Sequence, residues 1–104
     1  MGSIHEVAEG IQTQGADESI GYKITTTVWG STPTSVSAKA YDESSADRDV
    51  TATVFPTNTP SVAGDVITLD ALVSLTAHHT YRIEVKFTSG GNIYECYFRV
   101  HCDF

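Results

Sequence analysis

Residues 81–102 read Tyr-Arg-Ile-Glu-Val-Lys-Phe-Thr-Ser-Gly-Gly-Asn-Ile-Tyr-Glu-Cys-Tyr-Phe-Arg-Val-His-Cys, and this stretch decides the fold. Tyr81, Ile83, Val85 and Phe87 alternate with Arg82, Glu84, Lys86 and Thr88, the period-2 pattern of a half-buried strand. Gly90-Gly91 then supplies the positive-φ pair that a two-residue hairpin turn requires. Pairing Ser89 with Asn92 puts Phe87 opposite Tyr94, Val85 opposite Cys96, Ile83 opposite Phe98 and Tyr81 opposite Val100. Every one of those pairs is apolar or aromatic. The other face sets Lys86 against Glu95 and places Glu84 diagonal to Arg99, which stabilises the same register. One pair runs against it, because Arg82 faces Arg99.

A chain of 104 residues holds one domain with a two-layer core. Its 6 Lys and Arg stand against 13 Asp and Glu, a formal charge of −7. Nucleic-acid binding rests on clustered Lys and Arg, so no nucleic-acid partner is expected. No stretch approaches the ~18 apolar residues of a membrane span, and no charged segment followed by an apolar one opens the chain. The sequence therefore predicts no membrane partner and no export signal.

Further strands follow from the same period. Ile20, Tyr22, Ile24, Thr26 and Val28 alternate with Lys23, Thr25 and Thr27 before the Trp29-Gly30-Ser31-Thr32-Pro33 break. Ser35 to Tyr41 is expected as a strand with Val36, Ala38 and Ala40 inward, and Asp42 to Asp47 as a polar turn. Val50, Ala52 and Val54 alternate with Thr51, Thr53 and Phe55, which reads as another strand. Phe55 to Gly64 reads as a loop, since Pro56 and Pro60 bar a central strand, and Val66 to Leu69 as a short strand. No segment holds a 3.6 period over three turns. The expectation is all-β: an antiparallel β-sandwich of 6–7 strands spanning residues 18–104.

Leu72 and Leu75, then the polar Thr76-Ala77-His78-His79-Thr80 corner, lead into Tyr81. This run resembles the tyrosine corner of fibronectin type III and Ig-like modules, in which the ring packs inside and its hydroxyl bonds upstream backbone. The resemblance implies an Ig-like sandwich and says nothing of activity. Over roughly residues 20–102 the chain also resembles small proteins encoded among virion genes of tailed bacteriophages and prophages. The residues that carry this are Thr25-Thr26-Thr27, Trp29-Gly30, Pro33-Thr34-Ser35-Val36, Asp49-Val50-Thr51, Pro60-Ser61-Val62, Gly64 to Leu69 and Tyr81 to Phe87. That resemblance implies a virion part (a capsid decoration, neck or tail-attached module) present in the virion or, during assembly, in the host cytoplasm. It brings no catalytic residues.

Among candidate sites, Asp42, Glu43, Asp47 and Asp49 put four carboxylates in one turn. Calcium takes six to eight oxygen ligands, so this is a weak cation candidate, weighed against a solvated acidic turn with Arg48 as counter-charge. His78-His79 is expected as turn filler rather than a metal site, since neighbouring turn residues point apart. Cys96 and Cys102 lie six residues along one strand face, roughly 20 Å apart, too far for a disulfide. One is expected as a buried thiol and the other near a frayed terminus. No catalytic triad order, nucleophile elbow or phosphate loop is present, and no cofactor is implied. The chain is not expected to be an enzyme.

Contact surfaces carry the remaining signal. Trp29, Tyr41, Phe55 and Tyr97 fall on the nominally wet faces of their strands, more aromatics than a solvated surface needs. Trp29 is weighed as an interface anchor against a core residue turned inward by a bulge. Residues 1–17, with Ile4, Val7 and Ile11 as their aliphatic anchors and Gly10 and Gly15 as interruptions, form no clear strand. They are expected as a tail, or as an arm that adds to a neighbouring subunit's sheet edge. The expected function is a non-enzymatic structural module whose partners are other virion or surface proteins, including copies of itself. The alternative is a carbohydrate-binding sandwich with Trp29, Tyr41 and Tyr97 coplanar on one face.

Overall fold

The computed structural model describes residues 4–6 (as backbone), 11–26 and 32–104. The hairpin forms as its sequence dictates. Strands β8 (Thr80–Ser89) and β9 (Asn92–Cys102) pair antiparallel, with Ser89 opposite Asn92, Phe87 opposite Tyr94 and Tyr81 opposite Val100. Gly90 and Gly91 turn the chain at φ 57° and 82°, the left-handed pair of a type I′ turn. The Phe87 and Tyr94 rings stack at 5.6 Å.

Strand β4 (Thr34–Asp42) lies antiparallel on the other side of β8, with Ala38 and Ala40 buried and Val36 partly so. Its free edge is closed in pieces. The two-residue β5 (Arg48–Asp49) pairs its end, Thr51 Oγ1 accepts the Ala40 amide at 3.0 Å, and Asn58 Nδ2 donates to the Ala38 carbonyl at 2.8 Å. Here one expectation is corrected, because residues 50–55 are not a strand. Thr51–Val54 is a single helical turn, α1, and Val54 and Phe55 are both buried. Asp49 Oδ1 accepts from both the amide and the hydroxyl of Thr51 at 3.0 and 2.7 Å, a local cap that outcompetes extension. Two adjacent buried residues cannot share the period of a strand.

The first strands also differ from expectation. Strands β1 (Ile4–Glu6) and β2 (Gln12–Gln14) both pair parallel with β9 of their own chain, Ile4 beside Glu95 and Gln12 beside Val100. They complete a six-stranded sheet in the order β1-β9-β8-β4-β5, with β2 also on β9. The sheet is therefore mixed rather than wholly antiparallel, and the long β9 is not left as an open edge. The sequence hid this because the pairing needs backbone and one amide side chain, not an apolar alternation.

A second sheet packs across the first: β3 (Ile20–Thr25), β7 (Val66–Leu72) and β6 (Ser61–Ala63), in the order β3-β7-β6. Strand β6 lies within the expected 55–64 loop and is a wholly exposed edge, the one sheet position that tolerates the preceding Pro60. Between the layers sit Ile24, Ile67, Leu69 and Leu72 from the small sheet and Ile83, Val85, Phe87, Phe98 and Val100 from the large one. Tyr22 and Phe98 meet across the layers with ring centroids 5.2 Å apart. Large side chains buried this way each stabilise the fold by ~1.5–3 kcal/mol. The molecule is mostly β, two sheets around one core.

At the end of β7 the chain turns through the corner read from the sequence. Tyr81 is 2% exposed, and its hydroxyl accepts the Thr76 amide at 2.7 Å. The cysteines are free and both buried. Cys102 is not near a frayed end, since its amide donates to the His79 carbonyl at 2.9 Å and its carbonyl accepts from His78 at 2.7 Å. Among the described residues no helix is long and apolar enough to cross a membrane.

Candidate functional site

Period-2 alternation sends every second residue of β4, β8 and β9 outward, and the register arranges them in rows. Glu95, Lys86 and Ser37 form one row, Tyr97, Glu84 and Lys39 the next, and Arg99, Arg82 and Tyr41 the third. Four of the chain's six Lys and Arg thus lie on the outer face of the large sheet. Between the rows is a depression of about 180 Å³ lined by Ser37, Lys39, Tyr41, Glu84, Lys86 and Glu95. Typical small-molecule sites occupy ~300–1,000 Å³, so it is a dimple rather than a ligand pocket.

The face is held rigid from its upper edge. The turn after β4 is a short 3₁₀ helix, Glu43–Ser45, capped by Asp42 Oδ1, which accepts the Ser44 amide at 3.0 Å. That turn drops Glu43 onto both arginines, 3.1 Å from Arg82 Nη1 and 3.0 Å from Arg99 Nε. Arg82 also reaches Glu84 at 2.8 Å and Asp47 at 3.2 Å. Burial by itself would lower the Arg82 pKa. The hydrogen bonds to Glu84 and Glu43, with the charge of Asp47, outweigh that and hold it above the ordinary value. Each guanidinium then covers an aromatic ring, Arg82 over Tyr41 at 5.1 Å and Arg99 over Tyr97 at 5.4 Å, an attractive cation–π geometry.

This arrangement disperses the acidic turn as a cation candidate. Asp42 points to His79, whose Nδ1 lies 2.8 Å from its Oδ2. Glu43 and Asp47 serve the arginines, and Asp49 caps Thr51. The backbone bond from Thr51, and then its hydroxyl bond, hold the Asp49 carboxyl below its usual value. Among the described residues no group of His, Cys, Asp and Glu could hold a metal ion. His79 is accordingly more than turn filler, because folding brings it a carboxylate thirty-seven positions away in sequence. His78 is exposed, with φ 70°.

The interface candidates separate. Tyr41 and Tyr97 are half-buried on the outer face, on either side of β8. Ile11, 58% exposed, precedes β2 beside that same face, and Ile93, 62% exposed and not singled out from sequence, stands at its hairpin end. Ile4 lies in β1 next to Glu95. Phe55 is corrected to a core residue, 2% exposed, because the α1 turn rotates it inward. Trp29 and Val7 lie outside the described residues.

Two residues, one that organises the site and one that organises the fold behind it, carried no signal in the sequence. Glu43 looked like one acid among several. Gln14 looked like part of a tail, yet it is 2% exposed. Its Nε2 donates to the Leu72 and Glu18 carbonyls at 2.7 and 3.0 Å, and its Oε1 accepts from the Tyr22 hydroxyl at 2.9 Å. Comparison with known proteins found no matching family model, no matching curated protein and no matching solved structure.

Proposed function

We propose that this chain is a non-enzymatic structural or interaction module, a virion component of the capsid-decoration, neck or tail-attached kind, acting through surface contacts. The observation that carries this reading is the clamped outer face, where Tyr41, Arg82, Arg99 and Tyr97 are fixed by the one carboxylate of Glu43. Tyr and Arg dominate binding hot spots. Side chains ordered before contact lose little entropy on docking.

The finer fold assignment belongs to the same proposal. The order β9-β8-β4-β5 follows the G-F-C-C′ order of Ig-like sandwiches and β3-β7-β6 the B-E-D order. The Tyr81 corner opens the strand that would be F, and β1 and β2 lie on G instead of B.

A tagged copy expressed in a cell that produces the cognate particles tests the virion reading. Co-banding of the tagged chain with particles in a density gradient supports it, and recovery only at the top of the gradient refutes it. A second reading has one observation in favour: Tyr41 and Tyr97 share a face, as a carbohydrate site would need. Each ring already carries a guanidinium, which leaves less aromatic surface for a sugar. Specific hits on a glycan array, lost in Tyr97→Ala, would reverse this preference.

A further inference from the structure

The charge on this chain is unevenly spread. The outer face of the large sheet carries Lys39, Arg82, Lys86 and Arg99 against Glu43, Asp47, Asp49, Glu84 and Glu95. The other eight of the 13 Asp and Glu share the rest of the chain with Lys23 and Arg48. Two like chains at a formal −7 repel through most of their surfaces. On this face alone the charges nearly balance.

The balance is also patterned. Along β8 the signs alternate as Arg82, Glu84, Lys86, with Glu95 beside Lys86 and Lys39 beside Glu84. A two-fold axis lying across the strands between Glu84 and Lys86 sets Lys86 of each copy against Glu84 of the other, with Glu95 opposite Tyr97 and Lys39 opposite Ser37. Isologous contacts need this self-complementarity. Arg82 and Arg99 are engaged by their own chain and Lys39 faces Asp49, but Lys86 has no ion pair among the described residues, so it has charge left to offer. Tyr41, Tyr97, Ile11 and Ile93 supply apolar surface around the charges, and the 180 Å³ dimple can receive a facing side chain.

From this we infer that the outer face of the large sheet is a two-fold interface with a second copy of the same chain, and that Lys86 and Glu84 set its specificity. The inference rests on the interaction-module reading and assigns one of its contacts. Four strands ~4.8 Å apart over about eight residues make a plane near 500 Å², less than the ~800 Å² each partner gives to a standard interface. The contact is accordingly a weak one.

Sedimentation equilibrium of the whole chain up to about 1 mM reads it directly. The expected result is a closed dimer that loosens in 0.5 M salt, where screening is strong. Lys86→Glu should raise Kd at least about tenfold through like-charge contacts, as should Glu84→Lys. An equimolar mixture of these two variants should associate again as a heterodimer. If Glu84→Lys does not fold, because Glu84 also holds Arg82, Glu84→Gln takes its place, and its mixture with Lys86→Glu should associate more tightly than Lys86→Glu alone. A monomer at 1 mM, an open-ended polymer, a dimer indifferent to both charge reversals, or a mixture that stays monomeric each overturns the inference. A monomeric chain that still co-bands with particles ends this inference and leaves the proposed function standing. A dimer that never co-bands does the opposite.

Discussion

Arg82 and Arg99 stand directly opposite each other on β8 and β9, and a single carboxylate, that of Glu43, lies within hydrogen-bond distance of both. Two like charges in a directly opposed pair destabilise a sheet. Here the pair is a socket for the turn that follows β4. The Glu43 side chain is 21% exposed, so its charge is partly shielded from solvent and counts for more than an exposed ion pair.

Glu43→Gln keeps the shape and removes the charge. The expected cost is about 1–2 kcal/mol in urea unfolding, since the arginine pair then loses its shared counter-charge. The loss should shrink in high salt, where repulsion between the arginines is screened. In Glu43→Gln/Arg99→Gln much of the stability should return. If the double variant is as unstable as the sum of the single ones, Glu43 is not acting between the two arginines.

Tyr81→Phe tests the corner. The ring stays buried, and only the bond from the Thr76 amide is lost. A neutral hydrogen bond of this kind contributes ~0.5–1.5 kcal/mol, and the unfolding midpoint should fall accordingly with no change in m-value. Thr76 is exposed, so water can take over its amide, and the lower half of that range is expected.

The hairpin was legible because its information is local. Gly90-Gly91 fixes the turn, and the period-2 faces of 81–89 and 92–102 then permit only one register. Tyr81 was legible for the same reason, with its partner five residues upstream. Residues 50–55 misled because alternating Val and Thr satisfy a strand pattern, while the deciding interaction is a side-chain cap from Asp49. The outer face was half legible. Tyr41 and Tyr97 could be placed on wet faces, but that they flank one strand depends on which strands neighbour β8, a long-range fact that no window contains. Glu43 could not be assigned at all, since its distance to Arg99 in sequence is 56 positions.

Gln14 carries the clearest consequence of that non-local wiring. Its amide joins β2 to the end of β7 and to Tyr22, so the segment ahead of residue 18 is part of the folded unit. Gln14→Leu preserves volume but leaves a buried carbonyl and a phenol without their partner. The expected destabilisation is ~2–4 kcal/mol, at ~1–3 kcal/mol for each buried group left unpaired. Deleting residues 1–17 should cost more, because it also opens the edge of β9 and invites aggregation. A truncated chain as stable as the whole would show that β2 contributes nothing.

The two cysteines predict an alkaline limit. Burial pushes the Cys96 thiol up to about 12, and burial raises Cys102 as well. In the unfolded chain both ionise near their ordinary value of ~8.5. Below that pH both states hold the proton, and the contribution to stability is fully present. Above it the unfolded chain releases protons that the folded chain keeps, so stability falls as pH rises toward 12, at up to about 1.4 kcal/mol per pH unit for Cys96, and Cys102 acts in the same direction. Urea midpoints measured at pH 8 and pH 10.5 should show this decline, and Cys96→Ala should flatten part of it. A thiol reagent at pH 8 should leave the native protein unmodified and label both residues once it is unfolded, because the buried thiols present no thiolate. Rapid labelling of Cys96 in the native state would place that side chain at the surface and refute the register that sets it opposite Val85.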